Sequence, residues 1–142
     1  MNHKKLNIGL FGFGNVGKAL FLLLQKMQSP NLSIGRICVR NLEKHRDTDA
    51  PFTVNADDIF NDQDINFIVE LIDQPDASFQ IVTRALKSGR PVVTGNKKML
   101  AAHLPELIEL QRQTGVALLY DASACGSITV IRNLEEYYDN DL

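Results

Sequence analysis

Apolar positions along the chain fall into short blocks that alternate between two kinds of spacing. Leu6 to Phe11 is a largely apolar run of strand length. Val16 to Met27 then carries apolar side chains at Val16, Leu20, Leu23, Leu24 and Met27, the spacing of a helix face laid on a sheet. Ser29-Pro30-Asn31 ends that helix, because proline disfavours helical geometry in the residue before it. Leu32 to Val39 reads as a second strand, with Ile34, Ile37, Cys38 and Val39 apolar. Asn41 to Asp64 is polar and acidic, a solvated loop with a short strand around Phe52 to Val54. Ile65 to Ile72 is the next buried strand, and Asp73-Gln74-Pro75 marks a helix start with a capping side chain and proline in the first turn. Ala77, Ile81, Ala85 and Leu86 form that helix's inner face, and Gly89 closes it. Pro91 to Thr94 is a short strand, Gly95 to Lys98 a loop, and Leu100 to Ala102 a brief helical turn. Pro105 to Gln113 is a further helix with Leu107, Ile108 and Leu110 apolar, stopped by Gly115, and Val116 to Tyr120 is the last strand. Asp121 to Ser127 is a small-residue loop, and Ile128 to Tyr138 has a helical pattern.

Strands alternating with helices in this way predict an α/β fold, a Rossmann-type doubly wound parallel sheet covered on both faces. Ligands of such sheets bind outside the carboxyl ends of the strands. Three loops belong to that edge: Gly12 to Gly17, Thr94 to Lys98, and Asp121 to Ser127.

The 142 residues suit one domain with a real core, and a net charge of −2 gives no electrostatic case for nucleic acid or an anionic membrane as partner. The longest apolar run, Ala19 to Leu24, is far too short to span a bilayer, and no signal-like stretch follows Lys4-Lys5. Cys38 and Cys125 show neither metal-ligand spacing nor a disulfide framework, so a cytoplasmic protein is expected. The aspartates of the acidic loop (Asp47, Asp49, Asp57, Asp58, Asp62, Asp64) lack the spacing and turn glycine of a calcium loop, and no metal site is assigned.

The chemistry is concentrated just after the first strand. Gly12, Gly14 and Gly17 stand at G-x-G-x-x-G spacing between a strand and a helix, the setting in which that spacing signals a dinucleotide site. Gly12 permits the tight turn, Gly14 lets backbone approach a pyrophosphate, and Gly17 lets the helix pack closely on the strand. The loop Gly12, Phe13, Gly14, Asn15, Val16, Gly17 is therefore a candidate cofactor cradle, its unpaired helix N–H groups facing an anion. Dehydrogenases that read the ribose of NAD place an acidic residue about twenty positions further on. Val39-Arg40-Asn41 stands there instead, and the Arg40 guanidinium suits a 2′-phosphate, which suggests NADP while leaving NAD open.

The segments GLFGFGNVG, VELI, VVTGNKKMLA and YDASACGSI, in that order, resemble the nucleotide-binding half of homoserine dehydrogenase over nearly the whole chain. Relative to that family's usual text, Gly95 replaces an alanine, Asp121 a glutamate, Ser127 a glycine and Thr129 a proline. The resemblance implies an NAD(P)-dependent oxidoreductase of threonine and methionine biosynthesis. Such an enzyme oxidises L-homoserine to L-aspartate 4-semialdehyde or runs the reverse reduction. It implies that Lys97 is the catalytic lysine beside the nicotinamide and the reacting oxygen, able to relay the hydroxyl proton. Thr94, Asn96 and Ser123 would line the nicotinamide side, and Leu71 and Ile72 would border the cofactor. The family's loop at 121–126 can hold a monovalent cation, a site that Asp121 does not secure. Family members continue into a substrate domain that this chain lacks. The expectation is a truncated chain comprising the NAD(P)-binding domain, 1–142, that binds cofactor with little or no turnover, and a homo-oligomer when complete. Two other readings stay open at this point, a non-catalytic NAD(P)-sensing module and another two-domain amino-acid or sugar dehydrogenase.

Overall fold

A computed structural model of the chain describes residues 5–45 and 47–120. Six parallel strands form one sheet: β1 (Leu6–Phe11), β2 (Leu32–Cys38), β3 (Phe52–Thr53), β4 (Phe67–Glu70), β5 (Val92–Thr94) and β6 (Leu118–Leu119). Their order across the sheet is β3-β2-β1-β4-β5-β6, so the chain winds outward from β1 to one side and then returns to β4 on the other. This is the doubly wound order, with its switch point between β1 and β4.

Alternation along the strands sends neighbouring residues to opposite faces. Ile8 and Leu10 of β1 join Ile37 and Val69 against Phe21 of helix α1 (Asn15–Met27). Phe11 joins Ile68 and Val92 on the other face, against the short helix α2 (Asp57–Phe60), α3 (Pro75–Lys87) and α4 (Lys97–Thr114).

Several local expectations are corrected. Gly17 and Phe21 are the buried residues of α1, flanked by half-buried Leu20 and Leu24. Val16, Leu23 and Met27 are instead 65%, 54% and 54% exposed. With apolar residues at every position from 19 to 24, the sequence does not single out one face, and the bulky Phe21 takes the sheet side. The acidic stretch after β2 is more ordered than a solvated loop, containing a 3-10 turn (Leu42–His45) and α2, which buries Ile59 and Phe60.

Helix α3 has Pro75 at its first position as expected, but its N-cap is Gln74 and no side chain caps it. Its buried positions are Ser78, Val82, Ala85 and Leu86, so Ala77 lies outside the inner face and Ile81 is only half-buried. Ser78 is drawn inward because its hydroxyl bonds to Glu70. The expected loop at 95–98, the turn at 100–102 and the helix at 105–113 are one structure. Asn96 caps α4, Lys97 is its first residue, and Pro105 lies inside it. An interior proline costs about 3 kcal/mol, offset by burial of Met99, Leu100 and Leu107 along one continuous face. Gly89 and Gly115 follow their helices with positive φ, as expected. The loop at 121–127 and the helix at 128–138 lie outside the described residues.

Arg90, between α3 and β5, ties the entry into β4 to the rest of the sheet. Its Nε donates to the Ile65 carbonyl at 2.8 Å, and its Nη2 to those of Phe60 and Asp62 at 3.1 and 3.2 Å. Arg90→Ala is expected to destabilise the chain by about 2 kcal/mol, read as a lower urea midpoint with an unchanged slope. An unchanged midpoint would show that these bonds add nothing to the fold.

Candidate functional site

The glycine loop runs from the carboxyl end of β1 into α1, and two of its glycines are required by the fold itself. Gly12 has φ +96°, and a Cβ on it would lie 2.7 Å from the Leu71 carbonyl oxygen. A Cβ on Gly17 would lie 2.4 Å from the Gly12 carbonyl oxygen, so only glycine lets α1 sit this close to the turn. Gly14 differs. It is the N-cap of α1, in extended conformation at φ −77° and ψ −159°, and a Cβ there would meet nothing within 4 Å. No side chain caps α1, so its first N–H groups have no side-chain acceptor.

Around the loop, the side chains divide sharply by exposure. Phe13 is buried, with ring centroids 5.0 Å from Phe52, 5.4 Å from His45 and 5.7 Å from Phe21, so it can meet a ligand only through its main chain. Asn15 and Val16 are exposed in the first turn of α1. Arg40 is exposed two residues past the end of β2, on the same sheet edge. Its neighbour Asn41 is engaged locally, its Oδ1 accepting from the Glu43 N–H at 2.9 Å. Burial pushes the nearby Cys38 thiol up, and Asp58 pushes it further, which keeps it protonated and unsuited to nucleophilic chemistry at neutral pH.

Across the switch point, Leu71 and Ile72 follow β4 and are half-buried. Leu71 donates its N–H to the Phe11 carbonyl at 2.8 Å, and its side chain reaches toward Gly95. The structure thus brings the glycine loop, Leu71–Ile72 and the end of β5 together on one edge. Thr94 and Asn96 are present there but turned inward. The Thr94 hydroxyl donates to Glu70 at 2.5 Å and accepts the Asn96 N–H at 3.2 Å. Asn96 Oδ1 caps the Met99 N–H at 2.9 Å, and its Nδ2 donates to the Ile72 carbonyl at 2.9 Å. Lys97 and Lys98 are exposed in the first turn of α4. Ser123 and Asp121 lie outside the described residues.

Glu70 is the residue that sequence reasoning missed. Its signal was a carboxylate inside the apolar run INFIVELI, where burial of a charge demands several donors close by. Among the described residues, no group of His, Cys, Asp or Glu is placed to hold a metal ion. No helix among them is long and apolar enough to cross a membrane.

Residues 12–121 match the family described as homoserine dehydrogenase, NAD binding domain. Homoserine dehydrogenase of Bacillus subtilis is 30% identical over 97% of this chain, and that of Lactococcus lactis 32% identical over 96%. A crystal structure of homoserine dehydrogenase from Thiobacillus denitrificans superposes with a TM-score of 0.85 at 29% identity, covering 94% of this chain and 33% of that one. The chain spans about a third of the length of these relatives, 34% and 35% for the two curated sequences. The match over most of its length, on a doubly wound sheet with the glycine loop at its switch point, places the chain in the family of homoserine dehydrogenase NAD-binding domains.

Proposed function

We propose that this chain is the cofactor-binding unit of an NAD(P)-dependent enzyme that interconverts L-homoserine and L-aspartate 4-semialdehyde. The observation that carries the reading is Gly14. The fold itself leaves room for a Cβ there, yet the position is glycine, at an uncapped helix N-terminus on the ligand edge of the sheet. A pyrophosphate seated against Gly12–Gly17 accounts for both facts: it takes up the free N–H groups, and it needs close approach to backbone.

The dinucleotide supplies the hydride chemistry when bound. The chain's own residues bind, orient and move a proton. The main chain of Gly12, Phe13, Gly14, Asn15, Val16 and Gly17 holds the phosphates. Leu71 and Ile72 border the cofactor beyond the switch point, and Thr94 and Asn96 shape that border through their hydrogen bonds, with Ser123 assigned to the same side. Lys97 Nζ takes the substrate hydroxyl proton as the alcohol is oxidised, or returns it in the reverse direction. Lys97 is placed for this task because its side chain stands open at the sheet edge on a backbone anchored by the Asn96 cap beside the Ile72 carbonyl, and it accepts the proton as the neutral amine. A cytoplasmic, homo-oligomeric enzyme is the setting we assign to the complete protein.

Arg40 sets the cofactor preference in this proposal. Titrating the chain with NADPH and NADH, followed by nicotinamide fluorescence, is expected to show tighter binding of NADPH. Arg40→Ala should weaken NADPH about tenfold, the range of one charge-assisted contact, and leave NADH unchanged. Equal binding of both cofactors, unaffected by the substitution, would remove Arg40 from the site. Binding of neither would overturn the cofactor reading.

A further inference from the structure

We propose that Glu70 is a positioning residue that sets the nicotinamide end of the cofactor site independently of the adenosine end, a proposal that rests on the dinucleotide reading above. Glu70 ends β4 with 0% exposure, and among the described residues no Lys, Arg or His forms an ion pair with it. A buried carboxylate in such a place is tolerated only when donors surround it. Three do, from the segment after β4, from α3 and from β5. The Ile72 N–H donates to Oε1 at 2.7 Å, while the Ser78 hydroxyl of α3 and the Thr94 hydroxyl of β5 each donate to Oε2 at 2.5 Å.

These bonds continue into a closed ring. Thr94 accepts the Asn96 N–H, Asn96 donates from its side chain to the Ile72 carbonyl, and the Ile72 N–H returns to Glu70. The Glu70 carbonyl also accepts the Gly95 N–H at 2.9 Å. The ring fixes the two segments that flank the β4–β5 edge, and Asn96 passes its geometry to α4, whose first residue is Lys97. An apolar side chain would fill the same space without fixing any of these directions. What the carboxylate adds is orientation.

The ring belongs to one half of the site. In a doubly wound sheet each half takes one mononucleotide, with the adenosine ribose at the end of the second strand. That half here is built by β1, α1 and β2, and none of its residues hydrogen-bonds to the Glu70 side chain. Loss of the Glu70 acceptor therefore disturbs the nicotinamide side and spares the adenosine side.

The test compares NADH with ADP-ribose, which carries the same adenosine diphosphate ribose without nicotinamide, by calorimetric titration of the chain. Glu70→Gln keeps the shape but replaces an acceptor with a donor. It is expected to weaken NADH about tenfold or more and to leave ADP-ribose within about twofold. Thr94→Val breaks the same ring at its hydroxyl and should repeat the selective loss, while Thr94→Ser should restore binding. The Thr94 pair decides the matter if circular dichroism shows Glu70→Gln unfolded. Equal losses for both ligands would mean a general structural role and overturn the proposal, as would no loss for either or a failed Thr94→Ser rescue. Wild-type chain that binds ADP-ribose as tightly as NADH would overturn it too, since no nicotinamide contact would exist to be positioned. Wild-type chain that binds neither ligand would instead overturn the dinucleotide reading on which the proposal rests.

Discussion

Gly14→Ala is expected to abolish high-affinity dinucleotide binding while leaving the chain folded and nearly as stable as wild type. The backbone there is extended and the space beside it is open within 4 Å, so alanine fits without strain. The substitution costs at most about 1 kcal/mol, the difference between glycine and alanine as an N-cap. Its methyl group, however, occupies the volume through which a pyrophosphate approaches the helix N–H groups, and the expected loss of affinity is at least about tenfold. Gly17→Ala should behave differently. Its Cβ would stand 2.4 Å from a backbone oxygen, and neither the Gly12 turn nor the helix can yield cheaply. Overpacking of this kind costs about 1–3 kcal/mol, so stability and binding should fall together. Urea unfolding and fluorescence titration on the two variants separate these outcomes. If Gly14→Ala bound NADPH like wild type, the open space at Gly14 would have no ligand to explain it.

The second large effect is expected at Lys97. In the enzyme proposed above, Lys97→Ala should lower kcat by about a hundredfold to ten-thousandfold, the contribution of a positioned proton-transfer group. Cofactor affinity should stay within about twofold, because the substitution leaves the glycine loop and the Asn96 cap intact. Lys98→Ala, one position further along α4, should change kcat little. The comparison is informative because both lysines are exposed in the same helical turn, so a general effect of charge at that end would appear in both. Wild-type turnover in Lys97→Ala would remove Lys97 from the chemistry.

What could be read from the chain, and what could not, follows from where the information resides. The parallel, doubly wound architecture was implied by alternation, because a strand–helix–strand unit with parallel strands crosses over in one hand and places its ligand edge predictably. Gly12 and Gly17 were legible because tight turns and close helix approach leave only one residue type. The helix faces were less so. In α1 the run of apolar residues from Ala19 to Leu24 carries no sharp periodicity, and in α3 a polar residue, Ser78, takes a core position for the sake of Glu70. Both choices depend on partners outside the helix itself. Pro105 misled for a related reason: its local cost argues for a break, and only the burial of Met99, Leu100 and Leu107 on one face shows why α4 continues.

Of the candidate site, the place of its residues on the sheet edge was legible, and the partners of their side chains were not. Thr94 and Asn96 are on the ligand edge where their motif put them, but their side chains are committed to each other, to Glu70, to Ile72 and to the α4 cap. A hydrogen-bond network has no periodic signature, so its hub, Glu70, showed in the sequence only as a charge out of place within a strand.

In the proposed function, one edge of the sheet holds a nicotinamide dinucleotide, with its pyrophosphate at the start of α1. Amide chemical-shift mapping of the nitrogen-labelled chain during titration with NADPH reads that edge residue by residue. Saturable shifts are expected at Gly12–Gly17, Arg40, Leu71–Ile72 and Gly95–Lys97, with little change along the α3 and α4 surface remote from that edge. Saturable shifts centred away from the β1–β4 switch point, or no shifts at all, would contradict it.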